Sequence, residues 1–263
     1  MVIQLQQTIS ELPLTATVFL VLWLLVMILV PVLKWVWGDG AERLGISLGV
    51  IFQAATIVVL LAVSLPAAVV VAVCIAVPGL GWFSEFIGCR TGIPFGRYHY
   101  TDVLQPQLLR VPAVIPLAWL MMMPPAWGVA ALLVGFPSGE GAAYLASLVG
   151  FSAVSGAAFT AWDFFLDPQM VHWNFWQWDQ RGAYFGIPLV NFAGWFLVST
   201  LISGILFALL PIAGLPLMAL LMMYAITWLL ETIAQTFFWN LRGSAGVGFL
   251  IMGAFSVAAF LAG

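Results

Sequence analysis

The spacing of charged residues constrains this sequence more than any other feature. Its 263 residues include only seven Lys or Arg and ten Asp or Glu, so that charged residues make up 6% of the chain. About 25% is typical of a soluble globular domain. Hydrophobic residues make up 64%, and the mean hydropathy is +1.13. A chain with so few charges cannot cover itself with a water-soluble surface, and we therefore predict an integral membrane protein.

Long stretches between neighbouring charged residues indicate the segments that cross the membrane. A transmembrane helix needs about 20 apolar residues. The charge-free stretches cover residues 12–33, 44–84, 111–139, 141–162, 182–230 and 243–263. The second and fifth stretches can each hold two helices, with breaks near Pro66 and between Pro211 and Pro216. We predict an all-α polytopic membrane protein with about eight transmembrane helices, which form a single domain over residues 1–263.

The basic residues predict how these helices are oriented. With eight helices, all the basic residues fall in connections on one side of the membrane, namely Lys34, Arg43, Arg90, Arg97, Arg110, Arg181 and Arg242. Cytoplasmic loops of membrane proteins carry an excess of Lys and Arg. We therefore predict that this side is cytoplasmic and that both chain termini lie on the non-cytoplasmic side.

Most ionisable residues gather at the predicted cytoplasmic end. Charged groups at membrane depth cost about 2.5 to 3.5 kcal/mol each on insertion scales, so those that occur usually have a function. We expect the third, fifth and seventh helices to run past Glu85, Asp163 and Glu231. Two long cytoplasmic loops, at about residues 88–111 and 167–186, carry further ionisable residues. These are His99, Asp102, Asp167, His172 and Asp179.

The composition also excludes several kinds of chemistry. Two Cys cannot form a disulfide framework or a four-cysteine metal site. Two His cannot form the multi-histidine iron centre of a membrane desaturase or hydroxylase. The spacing of the His and carboxylate residues matches no metal motif, no phosphate-binding loop is present, and seven basic residues form no patch for nucleic acid. We predict no metal, no other cofactor and no nucleic-acid partner.

Structural roles offer alternative explanations for the second loop. Asp167 precedes Pro168, an order typical of a helix N-cap followed by proline at the first helical position. The segment 169–179 could then form an amphipathic helix at the membrane interface. In that case its tryptophans would belong to an aromatic belt. They are Trp173, Trp176 and Trp178.

Ion pairing is a further structural alternative for the carboxylates in the helices. Glu85 could pair with Arg90 at the membrane interface, and Glu231 could pair with Arg242. Asp163 could form a salt bridge with an arginine. The two histidines could be hydrogen-bonded loop residues.

The two loops and the helices beside them resemble one known family. The first motif reads Glu85-x-x-Gly88-x-x-x-Gly92-Ile-Pro-Phe-Gly96-x-Tyr98-His-Tyr100, followed by Val111-Pro-x-x-Ile-Pro-Leu-Ala-Trp119. The second reads Thr160-Ala-Trp162-Asp163-Phe-Phe-Leu-Asp167-Pro-Gln-Met170, followed by Tyr184-Phe-Gly-Ile-Pro-Leu-x-Asn191-Phe-x-Gly-Trp195. Over about residues 82–196 the chain resembles the CruF-type carotenoid 1,2-hydratases. The resemblance implies hydration of the terminal C1=C2 double bond of a ψ-end group in a carotenoid such as lycopene, γ-carotene or bisanhydrobacterioruberin.

Adding water to an isolated alkene needs an acid, a positioned water and protection of a carbocation, but no redox cofactor. The acid protonates the less substituted carbon, water attacks the tertiary cation, and a base takes the extra proton. A carboxyl group in apolar surroundings has a raised pKa and can serve as the acid near neutral pH. Aromatic faces stabilise a cation without capturing it.

These requirements lead to a hypothesis for individual residues. We predict that Asp163 donates the proton and that Glu85 or Asp167 positions the water. Trp162 and Trp173 would shield the cation. The other predicted substrate-binding residues at this end are Tyr98, His99, Tyr100, Asp102, His172 and Glu231. The carotenoid chain is expected to lie between helices, in a groove lined by Phe, Met and Leu.

Other functions would place similar residues in a membrane. A transporter or proton pathway needs polar groups that continue across the membrane, whereas the outer halves of these helices carry almost no ionisable residue. A carotenoid-binding protein without activity, or an acid-catalysed lycopene cyclase, would differ from a hydratase in the product. Besides a carotenoid and membrane lipid, the expected partners are other carotenoid biosynthesis enzymes. The expected location is a prokaryotic cell membrane, with the active-site end toward the cytoplasm.

Overall fold

The structure is a computed structural model that describes residues 10–263. Within these residues, eight helices are long and apolar enough to cross a membrane. They are α1 (Leu14–Trp37), α2 (Asp39–Ser64), α3 (Ala67–Thr91), α4 (Val114–Val134), α5 (Gly141–His172), α6 (Leu189–Leu209), α7 (Leu217–Ile233) and α8 (Arg242–Ala262). A π-helical turn, Ala234–Phe238, extends α7. The predicted all-α polytopic membrane fold is confirmed, while its orientation relative to the cytoplasm stays a prediction.

Prolines and glycines set several of the helix ends. Pro66 directly precedes α3 and Pro216 directly precedes α7, at positions where a missing backbone N–H costs no intrahelical hydrogen bond. Both predicted breaks are therefore confirmed. Gly92 and Gly135 follow α3 and α4 with φ values of 78° and 77°. Glycine adopts this left-handed conformation without steric cost, and it terminates the helices there.

Helix α5 continues well beyond the point at which we expected it to end. Asp167 and Pro168 lie inside α5, so the prediction that Asp167 caps a new helix is wrong. Pro168 has no N–H to donate to the carbonyl of Phe164, one turn earlier. The hydroxyl of Tyr184 donates to that carbonyl instead, at 2.9 Å. Because a tertiary contact satisfies the freed carbonyl, the helix tolerates the proline and runs on to His172.

The segment after α5 contains a strand and not the interfacial helix that was one alternative from the sequence. The short strands are β1 (Tyr98–Tyr100), β2 (Gln107–Leu108), β3 (Val111–Pro112) and β4 (Trp176–Trp178). Strand β1 pairs with β4 in antiparallel register, with Tyr98 opposite Trp178 and Tyr100 opposite Trp176. This pairing joins the two long connections into one cap at the end of the helices. Alternate residues of a strand face opposite sides, so both tyrosines lie on the same face.

Helix α4 lies at the centre of the helical arrangement. In its most apolar stretch 72% of the residues are buried within the protein, against 22% to 44% in the other helices. The long exposed apolar faces of the outer helices match the lipid that would surround them. Helices α3, α5 and α7 run past Glu85, Asp163 and Glu231 as predicted. Near the capped end, Glu85 and Asp163 are buried, and Glu231 is half-buried.

Candidate active site

Glu85 on α3 is buried and accepts three hydrogen bonds. Its Oε2 accepts from the hydroxyls of Tyr98 and Tyr100, the latter at 2.9 Å. Its Oε1 accepts from the indole N–H of Trp119 at 3.3 Å. Burial raises the pKa of Tyr98 and of Tyr100, and the negative charge of Glu85 raises both further. Both tyrosines therefore stay protonated and hold the Glu85 carboxylate in one orientation.

Two glycines allow these donors to approach Glu85 closely. Gly81 and Gly88 lie on α3 about one turn before and after it. A Cβ on Gly81 would lie 2.6 Å from the Trp119 ring, and one on Gly88 would lie 3.2 Å from the Tyr98 hydroxyl. Both positions are tighter than ordinary van der Waals contact. Because residues 81 and 88 have no Cβ, Trp119 and Tyr98 can come close enough to donate to Glu85.

Asp163 and Asp167 form a second carboxyl group cluster, one turn apart on α5. Both are buried, and the side-chain amide of Asn191 on α6 donates to Oδ2 of each, at 2.9 Å for Asp163. The indole N–H of Trp176 donates to Oδ1 of Asp167 at 3.0 Å. Oδ1 of Asp163 is also buried and has no hydrogen-bond partner among residues 10–263. Asp163 is thus the aspartate of the pair with an oxygen left free for another molecule.

A small cavity, here called the carboxyl cavity, brings Glu85 and Asp167 to the same space. Its polar lining comes from Glu85, Tyr98, Tyr100, Asp167 and Asn191. It offers about 20 Å³ to the centre of a water molecule, which is room for about one water. A buried water needs two to four polar partners, and the two carboxyl groups, two hydroxyls and amide of this lining include enough acceptors and donors to supply them.

Aromatic rings surround the carboxyl groups. Trp119 and Trp195 stack with their ring centroids 5.0 Å apart, and Phe159 packs 4.9 Å from Trp119 and 5.4 Å from Trp195. The Trp162 ring meets Trp195 edge-on at 6.2 Å. Trp119 and Trp195 also line the carboxyl cavity. Their faces are electron-rich and can stabilise a cation that forms beside them.

Of the predicted substrate-binding residues, the two tyrosines line this cavity, and three others lie at the protein surface. His99 follows Tyr98 in β1, so it faces the opposite side, where its Nδ1 lies 3.5 Å from Asp179 Oδ1 and more than half of each side chain is exposed. Asp102 and His172 are exposed as well. We therefore leave these three residues out of the proposed site.

The ion pairs that we considered for the buried carboxylates do not form. Among residues 10–263 the salt bridges are Lys34–Glu42, at 3.0 Å, and His99–Asp179. Arg90 stacks on the Phe86 ring, 3.8 Å from its centroid. In the same residues no group of three or more His, Cys, Asp or Glu is arranged to hold a metal ion.

Glu231, Trp162 and Trp173 line a second space, here called the interhelical cavity. It lies between α1, α2, α5 and α7, and its other polar lining residues are Gln53, Gln169 and Thr227. It offers about 70 Å³ to the centre of a water molecule, more than the carboxyl cavity does. Leu166 on α5 lines both cavities. Glu231 and Trp173 therefore stand in a space next to the carboxyl cavity.

Several residues of the site were not assigned a role from the sequence. Three of them, Asn191, Trp119 and Trp195, belong to the motifs that carry the family resemblance. Their place in those motifs could have identified them as site residues. Trp176 was considered only as part of an aromatic belt. Its indole N–H points inward to Asp167 because β4 pairs with β1.

Comparisons with known proteins agree with this reading of the motifs. Residues 45–255 match the family model described as "Carotenoid biosynthesis protein". A curated relative, the bisanhydrobacterioruberin hydratase of Haloarcula japonica, is 32% identical over 114 residues. That alignment covers 43% of this chain and 36% of the relative, so it spans about a third of the relative's length. No solved structure matches. The family match covers most of the chain, which therefore belongs to the carotenoid biosynthesis protein family.

Proposed function

We propose that this protein is a carotenoid hydratase, which adds water across the terminal C1=C2 double bond of a ψ-end group. The observation that carries the proposal is the carboxyl cavity. Glu85 and Asp167 both line a space with room for about one water, Asp163 lies one turn before Asp167, and tryptophan rings line the same space. The similarity to a protein named as a hydratase supports the same reaction.

Asp163 is the proposed proton donor. Its Oδ2 is held by Asn191, while its buried Oδ1 has no partner within the described residues. In this proposal the proton is carried on Oδ1 and passes to C2 of the alkene. Transfer of that proton forms the C2–H bond and leaves a tertiary cation at C1.

The water between Glu85 and Asp167 is the proposed nucleophile. It attacks C1 and forms the C–O bond, and one of the two carboxylates accepts the proton that it releases. The product is a tertiary 1-hydroxy carotenoid, in which water has supplied one hydrogen and the hydroxyl. Passage of the accepted proton back to Asp163 restores the starting state, so the reaction consumes only water. No cofactor enters this scheme.

The aromatic walls and the space between helices supply the rest of the site. Trp119, Trp195 and Phe159 stabilise the cation and keep other nucleophiles away from it. Tyr98 and Tyr100 hold Glu85 in place. The apolar polyene is long and must lie in the membrane, and its proposed place is between the helices that border the carboxyl cavity.

Expression in a host that makes lycopene tests this function. We expect a new pigment heavier by one water, identified by mass spectrometry as a 1-hydroxy carotenoid. A carotenoid-binding protein would retain unchanged lycopene, and a cyclase would give a product of unchanged mass. Either of those results would contradict the proposal. Hosts that make γ-carotene would show whether monocyclic carotenoids also react.

The cellular setting follows from the same proposal. We propose that the protein lies in a prokaryotic cell membrane. Its active-site end would face the cytoplasm, since all seven basic residues fall at this end of the helices and cytoplasmic loops carry an excess of Lys and Arg. The proposed partners are the carotenoid substrate, membrane lipid and neighbouring enzymes of carotenoid biosynthesis. Addition of a membrane-impermeant thiol reagent to a single-cysteine variant at position 99 would test the orientation. Labelling only after the membrane is opened is the expected result.

A further inference from the structure

The interhelical cavity combines apolar walls with polar groups that have no protein partner. Most of its lining is apolar, from residues such as Trp23, Met27, Val30, Val50 and Leu230. A cavity that held only a hydrocarbon chain would need no more than this. The same cavity nevertheless contains polar groups on its walls, among them Gln53, Gln169, Thr227, Glu231 and the indoles of Trp162 and Trp173.

Two buried glutamines each form hydrogen bonds with only one of the two polar atoms of the side-chain amide. Gln53 donates to Thr227 Oγ1 at 3.1 Å and lies 3.5 Å from the sulfur of Met122. Gln169 accepts from Gln235 at 2.9 Å. Neither the Oε1 of Gln53 nor the Nε2 of Gln169 bonds to another side chain within residues 10–263. Both side chains are at least nine-tenths buried.

Glu231 and two indoles add to this set. The Oε2 of Glu231 has one long contact with Gln235, at 3.5 Å, and its Oε1 has none among the described residues. The indole N–H groups of Trp162 and Trp173 are buried and also lack partners there. Both rings line the interhelical cavity. The cavity therefore offers carboxylate and amide acceptors together with indole and amide donors.

A hydrocarbon placed in this cavity would leave those groups desolvated and unpaired, which is costly. A hydroxyl group both donates and accepts one or more hydrogen bonds, so it can pair with an acceptor such as Glu231 and with a donor such as Trp162. The apolar walls exclude a strongly polar or multiply charged molecule. The chemistry of the lining is thus matched to a long apolar molecule that carries a hydroxyl near its end.

We propose that the interhelical cavity is a binding site for the hydroxyl-bearing end of a carotenoid. The hydroxyl would form hydrogen bonds with Glu231, Gln53 and Gln169. Because Leu166 lines both cavities, the two are neighbours, and an alcohol formed beside the carboxyl cavity would have a short way to the interhelical cavity. The cavity would then hold the product end before release. That this alcohol is the product of the enzyme rests on the proposed hydration. That the cavity binds a carotenoid alcohol does not depend on it.

Competition between two pigments tests the proposal without any turnover. The purified full-length protein in detergent is incubated with equal amounts of two pigments that have no C1=C2 double bond to hydrate: lycopene with both terminal double bonds reduced, and the same hydrocarbon with a hydroxyl at C1. Excess pigment is removed, and the retained pigments are quantified by chromatography. We expect the alcohol to be retained about tenfold or more over the hydrocarbon. In Glu231→Gln and in Gln53→Leu we expect that preference to fall to about threefold or less.

The control is Glu140→Gln, which removes an exposed carboxylate at the opposite end of the helices and should keep the full preference. Two results would overturn the proposal. One is equal retention of both pigments by the unchanged protein, which needs no variant to fold. The other is an unchanged preference in either folded cavity variant. If the hydratase proposal fails instead, no hydrated product appears in cells while the preference for the added alcohol remains.

Discussion

Replacing Glu85 by Gln tests whether the carboxylate at the carboxyl cavity orients the attacking water. Glu85 Oε2 accepts from Tyr98 and Tyr100, and Oε1 accepts from Trp119 at 3.3 Å. Glutamine has nearly the same shape, but only its oxygen can accept. If that oxygen takes the Oε2 position, the new amide N–H group faces the Trp119 N–H. Two hydrogen bonds then remain, and the third becomes a contact between two donors.

The two effects of this substitution differ in size. A buried donor left unsatisfied costs about 1–3 kcal/mol of stability. Loss of a general base lowers a rate about 100- to 10,000-fold, which corresponds to about 2.7–5.4 kcal/mol at 1.36 kcal/mol per tenfold. We therefore expect Glu85→Gln to remain folded with modestly lower thermal stability and to lose at least 99% of its activity.

The matched control removes the clashing donor. The reference protein for this control is Trp119→Phe. Adding Glu85→Gln to it should cost no further thermal stability, because the clashing donor is gone, but should still remove the activity. Activity is measured as 1-hydroxy carotenoid formed per amount of folded protein, and stability as thermal unfolding in detergent. A Glu85→Gln rate within about threefold of the unchanged protein would refute the reasoning. Recovery of activity in the double variant would also refute it, because it would assign Glu85 a purely structural role.

Three further predictions follow from the placement of other residues. Asp163→Asn should lose activity about 100-fold or more in the same product assay because the donated proton is gone, and near-normal activity would rule out Asp163 as the donor. Its control is Asp102→Asn, an exposed site that should change the rate less than about threefold. Gly88→Ala should lower stability by about 1–3 kcal/mol in thermal unfolding, because its Cβ would lie 2.6 Å from the Phe95 ring and 3.2 Å from the Tyr98 hydroxyl; an unchanged melting temperature would show that the site has room. His99→Ala should keep at least a third of the product yield, since His99 faces away from the cavity in β1, and a larger loss would place it in the site.

The helices and the first half of the site could be predicted from sequence because their causes are local. Spans follow from the length of the charge-free stretches, and their breaks follow from proline. Glu85, Tyr98 and Tyr100 stand in one short motif, and a single helix end followed by a short strand brings them together. Asp163 and Asp167 are four residues apart, which places both on one face of α5.

The remaining features depend on contacts between distant segments. Asp167 lies inside a helix only because Tyr184, 20 residues from Phe164, satisfies the carbonyl that Pro168 frees. His99 faces outward because β1 pairs with a strand that comes almost 80 residues later. Asn191 reaches both aspartates from a different helix. Local propensity and hydropathy carry no information about such pairings, so the role of Asn191 could not be inferred from them.

The source of the oxygen in the product tests the central claim most directly. Membranes that contain the protein are supplied with lycopene in water enriched in ¹⁸O, and the pigment is analysed by mass spectrometry. The proposed mechanism predicts one ¹⁸O atom in each new hydroxyl, and no label from ¹⁸O₂ gas in ordinary water. Label from the gas, or an unlabelled hydroxyl in heavy-oxygen water, would contradict hydration as the reaction.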